Sequence, residues 1–167
     1  EFDAPVERVW QVWEDPRRAA ELVAHYNRVF NSLVLRSYDN TQLSLPGLAL
    51  SFKPRPHQLA AVARVIAEPS VGLWHEVGAG KTAEMAMAAM ELRRLGLAGK
   101  PAIVVPNHML RQFTTEFLEL YPRAKLLAAS TEDLTADKRR RFIGKITTGD
   151  WDAVIITRGA FERIPMS

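Results

Sequence analysis

"LWHEVGAGKTAEMAMAAM", residues 73–90, is the stretch on which the reading of this sequence turns. Two glycines, a lysine and a threonine stand between an apolar run and a series of helix formers, Ala83 through Met90. Glycine inside a helix costs roughly 1 kcal/mol relative to alanine, so Gly78 and Gly80 mark a loop. The order is then strand, glycine-bearing loop over 75–80, and helix from about Lys81. In that order backbone N–H groups and a helix N-terminus converge on one point, an arrangement suited to a phosphate. A plain turn followed by a helix would account for the glycines but leave Lys81 and Thr82 unexplained.

With that context each residue of the loop has a chemical part. Gly78 and Gly80 let the backbone take conformations and close approaches that a Cβ forbids. Lys81 places a cation on the β- and γ-phosphates of a nucleotide such as ATP, and the Thr82 hydroxyl completes the shell of a Mg²⁺ ion. The candidate phosphate cradle is therefore Gly78, Ala79, Gly80, Lys81 and Thr82, with Lys81 neutralising phosphate charge as the candidate catalytic side chain. The general pattern G-x-x-x-x-G-K-[ST] has glycine where this chain has His75, which is a departure.

Outward from the loop the pattern alternates. Residues 57–67 read as a helix, 71–76 as a short buried strand and 81–95 as a helix that ends before Gly96. Residues 101–106 are strand-like, and Asn107 is placed to cap a helix running to about Tyr121. A third strand is expected at 124–130, a helix at 131–146 with acid early and base late, as the helix dipole favours, and a fourth strand at 151–159. Apolar strands separated by helices argue for a parallel sheet covered on both faces, an α/β fold. Ahead of it, residues 4–36 carry apolar side chains at helical spacing, giving two helices broken at Pro16. Residues 37–52 lose that period and read as an extended connector. The organisation is a helical extension over 1–36, the connector over 37–52, and an α/β lobe over 53–167.

The bulk numbers narrow the function classes. The chain has 167 residues, 47% of them hydrophobic, enough to bury a core. Net charge is only +3 although the isoelectric point is about 9.4, so contact with a polyanion must come from local basic clusters. There is no cysteine, which removes disulfides, thiolate catalysis and cysteine-based zinc sites. His25, His57, His75 and His108 lack the close spacing of a metal motif and read as unrelated. No apolar run reaches the length of a membrane span, and the expectation is a soluble, cytoplasmic protein with no membrane partner. The sequence opens on Glu1 and its first methionine is Met85, which leads us to expect a piece of something longer.

Four blocks carry a family resemblance. "HEVGAGKT" (75–82) resembles the nucleotide-binding motif of Swi/Snf-type superfamily-two helicases, although that family has Asp and Leu where this chain has His75 and Ala79. "RPHQ" (55–58) resembles the family's Arg-Pro-Tyr-Gln block, which implies that Gln58 hydrogen-bonds the adenine edge. "AIVVPNHMLRQFTTEF" (102–117) resembles its second motif, a strand followed by Pro and a helix that touches the DNA backbone; this implies nucleic-acid contacts by Pro106, Asn107 and Arg111. "DAVIITRGAFERI" (152–164) resembles a later strand ending in another such contact, which implies Thr157 and Arg158. The resemblance implies a RecA-like first lobe of an ATP-driven DNA motor, partnered by a second lobe of the same polypeptide. The wording around these blocks is similar to the helicase region of large phage- and plasmid-borne proteins that join an adenine-specific DNA methylase to a helicase, which implies a methylase domain and makes 1–52 the joining segment.

Other features have plainer readings. The basic cluster at 137–145 serves the dipole and solubility of its helix as readily as it would serve DNA. Trp10 and Trp13 read as packing. None of the expected strands ends in a pair of acids: 101–106 runs into Asn-His, 124–130 into Ser-Thr, 151–157 into Arg-Gly. Phosphoryl transfer in this class needs such an acid and an arginine from a second lobe, so the lobe is expected to stop short of its acidic Mg²⁺-binding motif and the chain to bind nucleotide without turning it over. Two rivals remain: a small P-loop kinase, which should carry its acceptor site in one chain, and a non-catalytic module whose helices within 1–36 bind a protein partner.

Overall fold

All five side chains of Ala153–Thr157 are buried, and the sheet is built around that strand. The computed structural model describes residues 15–30, 37–38, 42–130, 133 and 136–163. They fall into two compact units, one ending at Ser37 and the other starting at Tyr38.

In the first unit, helix α1 (Pro16–Phe30) begins where the sequence places a helix start, with proline at its first position. Asp15 caps it by accepting from the Arg17 N–H at 3.0 Å. Leu22, Val23, Tyr26, Val29 and Phe30 recur at helical spacing, and the Tyr26 and Phe30 rings stand 4.9 Å apart. The other helix expected in this segment, with Trp10 and Trp13, lies outside the described residues.

The second unit runs α2 (Pro56–Ala67), α3 (Lys81–Arg94), β1 (Ala102–Val105), a 3-10 turn (Asn107–Met109), α4 (Leu110–Leu120), β2 (Leu126–Ala129), α5 (Ala136–Thr148), β3 (Ala153–Thr157) and a short α6 (Arg158–Phe161). The sheet is parallel, in the order β1-β3-β2, with Ile103 opposite Ile155 and Val105 opposite Thr157 on one side and Ala128 opposite Ile155 on the other. β3 sends alternate residues to two cores. Ala153 and Ile155 join Met87, Phe113, Phe117 and Tyr121 on the face covered by α3 and α4. Val154 and Ile156 join Phe142 and Ala129 on the face covered by α5. The chain is thus a parallel-sheet α/β structure with helices on both faces, as expected for a RecA-like lobe preceded by a helical extension.

α3 is alanine-rich, and Ala83, Ala86, Ala88 and Ala89 are buried with Met87. Small side chains let α2 approach closely, and α2 brings Val62 into the same core. Leu43, Leu45, Leu48 and Phe52 of the connector pack on this core, and the Ala49 N–H donates to the Leu120 carbonyl at 2.8 Å. The Tyr121 hydroxyl is buried without a hydrogen-bond partner among the described residues, and burial first, then the nearby Glu91 carboxylate, push its pKa up.

The expectation of a strand at 71–76 needs correcting. Residues 71–76 are extended but pair with no strand among the described residues. Gly72, Trp74 and Glu76 are exposed while Val71, Leu73 and His75 are half-buried, the alternation of a segment covered on one side only. Trp74 in particular is 92% exposed. β1 also alternates, with Ile103 and Val105 buried and Ala102 and Val104 exposed, because it lies at the edge of the sheet; continuous burial belongs to the central strand.

At the end of the sheet where the strands begin, Arg93 closes the structure. Its Nε donates to Asp152 Oδ1 at 2.9 Å and another guanidinium nitrogen to Asp150 Oδ1 at 2.5 Å, while Asp152 Oδ2 accepts from the Lys125 N–H at 2.8 Å. Lys100 Nζ donates to the carbonyls of Ile146 and Thr147, satisfying the last turn of α5. Among the described residues no helix is long and apolar enough to cross a membrane.

Candidate functional site

Gly78 and Gly80 have φ of +87° and +88°, a region that L side chains rarely adopt. Gly80 is the N-cap of α3 in that left-handed conformation, and its carbonyl accepts from the N–H groups of Ala83 and Glu84. A Cβ at Gly80 would also run into Gln58 Nε2. The two glycines are thus required by the backbone path of the loop.

Gln58 is buried on the first turn of α2. Its Oε1 accepts from the Arg55 N–H at 2.9 Å, and its Nε2 donates to the carbonyls of Ala79 at 3.2 Å and Gly80 at 3.3 Å. All three contacts go to main chain, so in this structure the amide braces the loop against α2. Lys81 Nζ donates to the carbonyls of His75 and Glu76, each at 2.8 Å, so the lysine folds back over the leading side of its own loop. Thr82 and Gly80 line a cleft of about 390 Å³ with Ser51, Phe52, Glu116 and Leu120.

Sequence spacing missed the histidines. His57 and His75 were expected to be unrelated, but their rings meet edge to face with centroids 5.3 Å apart. His57 Nε2 lies 3.0 Å from the Ala79 carbonyl, and His75 Nδ1 lies 2.8 Å from Glu84 Oε1. The two sit on separate elements, α2 and the extended run before the loop, so no local motif relates them. Glu84, in the first turn of α3, is fully buried and was not singled out by its sequence context.

The second group of candidates lies where the strands end. Val105 pairs with Thr157, so Pro106 and Asn107 after β1 stand beside Thr157 and Arg158 at the C-terminal edge of the sheet, the edge at which open α/β sheets carry ligands. Asn107 begins the 3-10 turn, its carbonyl accepting from the Leu110 N–H, and α4 starts only at Leu110. Pro106, Asn107, Arg111 and Arg158 are exposed, while Thr157 is buried. Arg158 Nε pairs with Glu162 Oε1 at 3.0 Å. On α5, Lys138, Arg140, Arg141 and Lys145 are exposed while Phe142 is held in the core.

Residues 68–167, more than half of the chain, match the family described as "Probable helicase domain". The chain belongs to this helicase-domain family. It is also similar to a Bacillus subtilis (strain 168) protein described as "Uncharacterized ATP-dependent helicase YqhH", with 33% identity over 115 residues. That match takes in 67% of this chain and 19% of the relative, so the chain spans about a fifth of the relative's length. The matched helicase-domain segment contains both groups of candidates except Gln58, which lies ahead of residue 68 on α2.

Proposed function

We propose that the chain is the nucleotide-binding part of a DNA-dependent helicase motor, and that residues 75–82 hold the phosphates of ATP. The observation that carries this is the loop itself: two glycines at positive φ, a lysine and a threonine where helix α3 begins. A phosphate oxygen is a stronger acceptor than the two neutral carbonyls that now hold Lys81, because charge-assisted hydrogen bonds are roughly twice as strong. Lys81 would then exchange the His75 and Glu76 carbonyls for phosphate, and the Gly80 end of α3 would offer its N–H groups. Thr82 is the hydroxyl that would hold Mg²⁺, an ion that favours oxygen ligands. Gln58 would hold the adenine edge only by giving up a contact to the Ala79 or Gly80 carbonyl.

DNA would be met at the strand ends by Pro106, Asn107, Arg111 and Arg158. Thr157 would act there through its main chain, since its side chain is buried. The order of the blocks supports a Swi/Snf-like superfamily-two motor, and the wording around them supports a protein that also carries an adenine-specific DNA methylase. A second lobe of the same polypeptide would supply the arginine of phosphoryl transfer. β1, β2 and β3 run into Pro106, Ser130 and Arg158, none of them a carboxylate, so the acid that holds Mg²⁺ and orients water would come from elsewhere in the protein.

Titration calorimetry with ATP and ADP, on the wild type and on Lys81→Ala, tests the reading. Binding in the wild type that the substitution removes is expected; equal heats from both proteins would exclude it. Phosphate release and ADP production, each followed with and without duplex DNA and small acceptors, separate the rivals. Transfer to a small acceptor favours the kinase, and absence of any nucleotide affinity favours the protein-binding module.

A further inference from the structure

Glu84 lies two residues past Thr82, in the first turn of α3, with no surface exposed. Burying a carboxylate is unfavourable unless hydrogen bonds or charges answer it, yet only one of its oxygens is engaged. Oε1 lies 2.8 Å from His75 Nδ1 and 3.8 Å from His57 Nε2, while Oε2 has no partner among the described residues. A carbonyl oxygen only accepts, so His57 Nε2, 3.0 Å from the Ala79 carbonyl, carries its proton. The carboxylate in turn fixes the His75 proton on Nδ1. The buried carboxylate therefore hydrogen-bonds His75 alone, while His57, 3.8 Å away, spends its Nε2 proton on Ala79, between the two glycines.

The lysine gives this tether its significance. In the present structure the His75–Glu76 segment is held from two directions, by Lys81 on its carbonyls and by Glu84 on the His75 ring. When Lys81 turns to a phosphate, the first of these is lost. The Glu84–His75 hydrogen bond is then the side-chain contact that keeps the leading side of the loop against α3.

We propose that Glu84 is a positioning residue for the phosphate loop, acting through His75 to hold the leading side of residues 75–80 in place once Lys81 has left its carbonyls. It touches no nucleotide. The inference rests on the nucleotide reading of the loop, and it makes the dependence on Glu84 a property of the phosphate-bearing ligand: adenosine, which cannot draw Lys81 away, does not call on it.

The test is ATP and adenosine affinity of the whole chain as wild type, Lys81→Ala, Glu84→Ala, Glu84→Gln and His75→Ala, together with imidazole ¹⁵N spectra. Glu84→Ala and His75→Ala are expected to weaken ATP about tenfold, the effect of leaving one buried hydrogen-bonding group unpaired, with adenosine unchanged. Glu84→Gln keeps an acceptor for His75 and is expected to restore most of the ATP affinity. The spectra are expected to show His75 protonated on Nδ1 in the wild type. If Glu84→Ala does not fold, Glu84→Gln and His75→Ala carry the comparison. A folded Glu84→Ala or His75→Ala protein that binds ATP like the wild type overturns the inference, as does equal weakening of ATP and adenosine, or a wild-type His75 protonated on Nε2. Loss of ATP binding in Lys81→Ala alongside normal binding in Glu84→Ala sinks this inference alone; no ATP binding in the wild type sinks the nucleotide reading and this inference with it.

Discussion

Between His75 and Lys81 the main chain is held by side chains that reach in from other places, Gln58 and His57 from α2 and Lys81 from the start of α3, each ending on a carbonyl. Between Ala153 and Thr157 it is held by ladders on both sides and by five buried side chains. The first region depends on a few polar contacts, which a better acceptor could take. The second depends on apolar burial, which is spread over many atoms and has no competitor. A chain built this way keeps its sheet while its loop changes partners.

The largest expected effect attacks the sheet. Ile155→Ala removes a fully buried side chain of the central strand and should cost about 3 kcal/mol of stability, read from denaturant unfolding. ATP affinity measured on the folded protein should stay the same; a matching loss of affinity would mean that loop and sheet are not independent. Gly80→Ala reverses the pattern. It forces a side chain into positive φ and against Gln58, a strain of about 1–2 kcal/mol. Calorimetry should find ATP affinity lost by at least tenfold, more than the change in melting temperature explains.

A smaller effect is expected at the strand ends. Arg111→Ala or Arg158→Ala should lower duplex affinity for all sequences alike and reduce the slope of log K against log salt by about 0.9 each. An unchanged slope removes that residue from the DNA path. The smallest effect lies at the opposite end. Hydrogen bonds and charge from Lys125 first, and then Arg93, hold the Asp150 carboxyl below the usual aspartate range. A depressed folded-state pKa adds stability above the ordinary value and loses it as pH falls through the lowered one. Wild type should therefore exceed Asp150→Asn slightly at neutral pH and converge with it below about pH 4. A difference that grows on acidification would reverse the assignment.

Most of the lobe is legible in the sequence because its elements are set by local rules. Pro56 and Gly96 punctuate its helices, and α3 starts at Lys81 as the glycines require. What is not legible depends on neighbours. Residues 71–76 have the composition of a buried strand, but burial on both faces needs a ladder partner that composition cannot supply. Lys81 was legible as a loop residue and Gln58 only, through the resemblance, as an adenine contact; that both are tied to main-chain carbonyls was not legible, because carbonyls have no sequence signature. Glu84 looks like an ordinary acid in a first helical turn, and only the folded chain brings His57 and His75 to it.

Trp74 stands one residue ahead of His75 with its ring almost wholly in water. Trp151 is half-buried and its Nε1 donates to the Lys145 carbonyl at 2.7 Å. An indole in water emits to the red and meets dissolved quenchers freely, whereas a shielded one does neither. The chain therefore carries its own optical gauge beside the loop. The part of the emission that acrylamide removes, and that Trp74→Phe abolishes, follows what happens at residues 75–80 without any label attached.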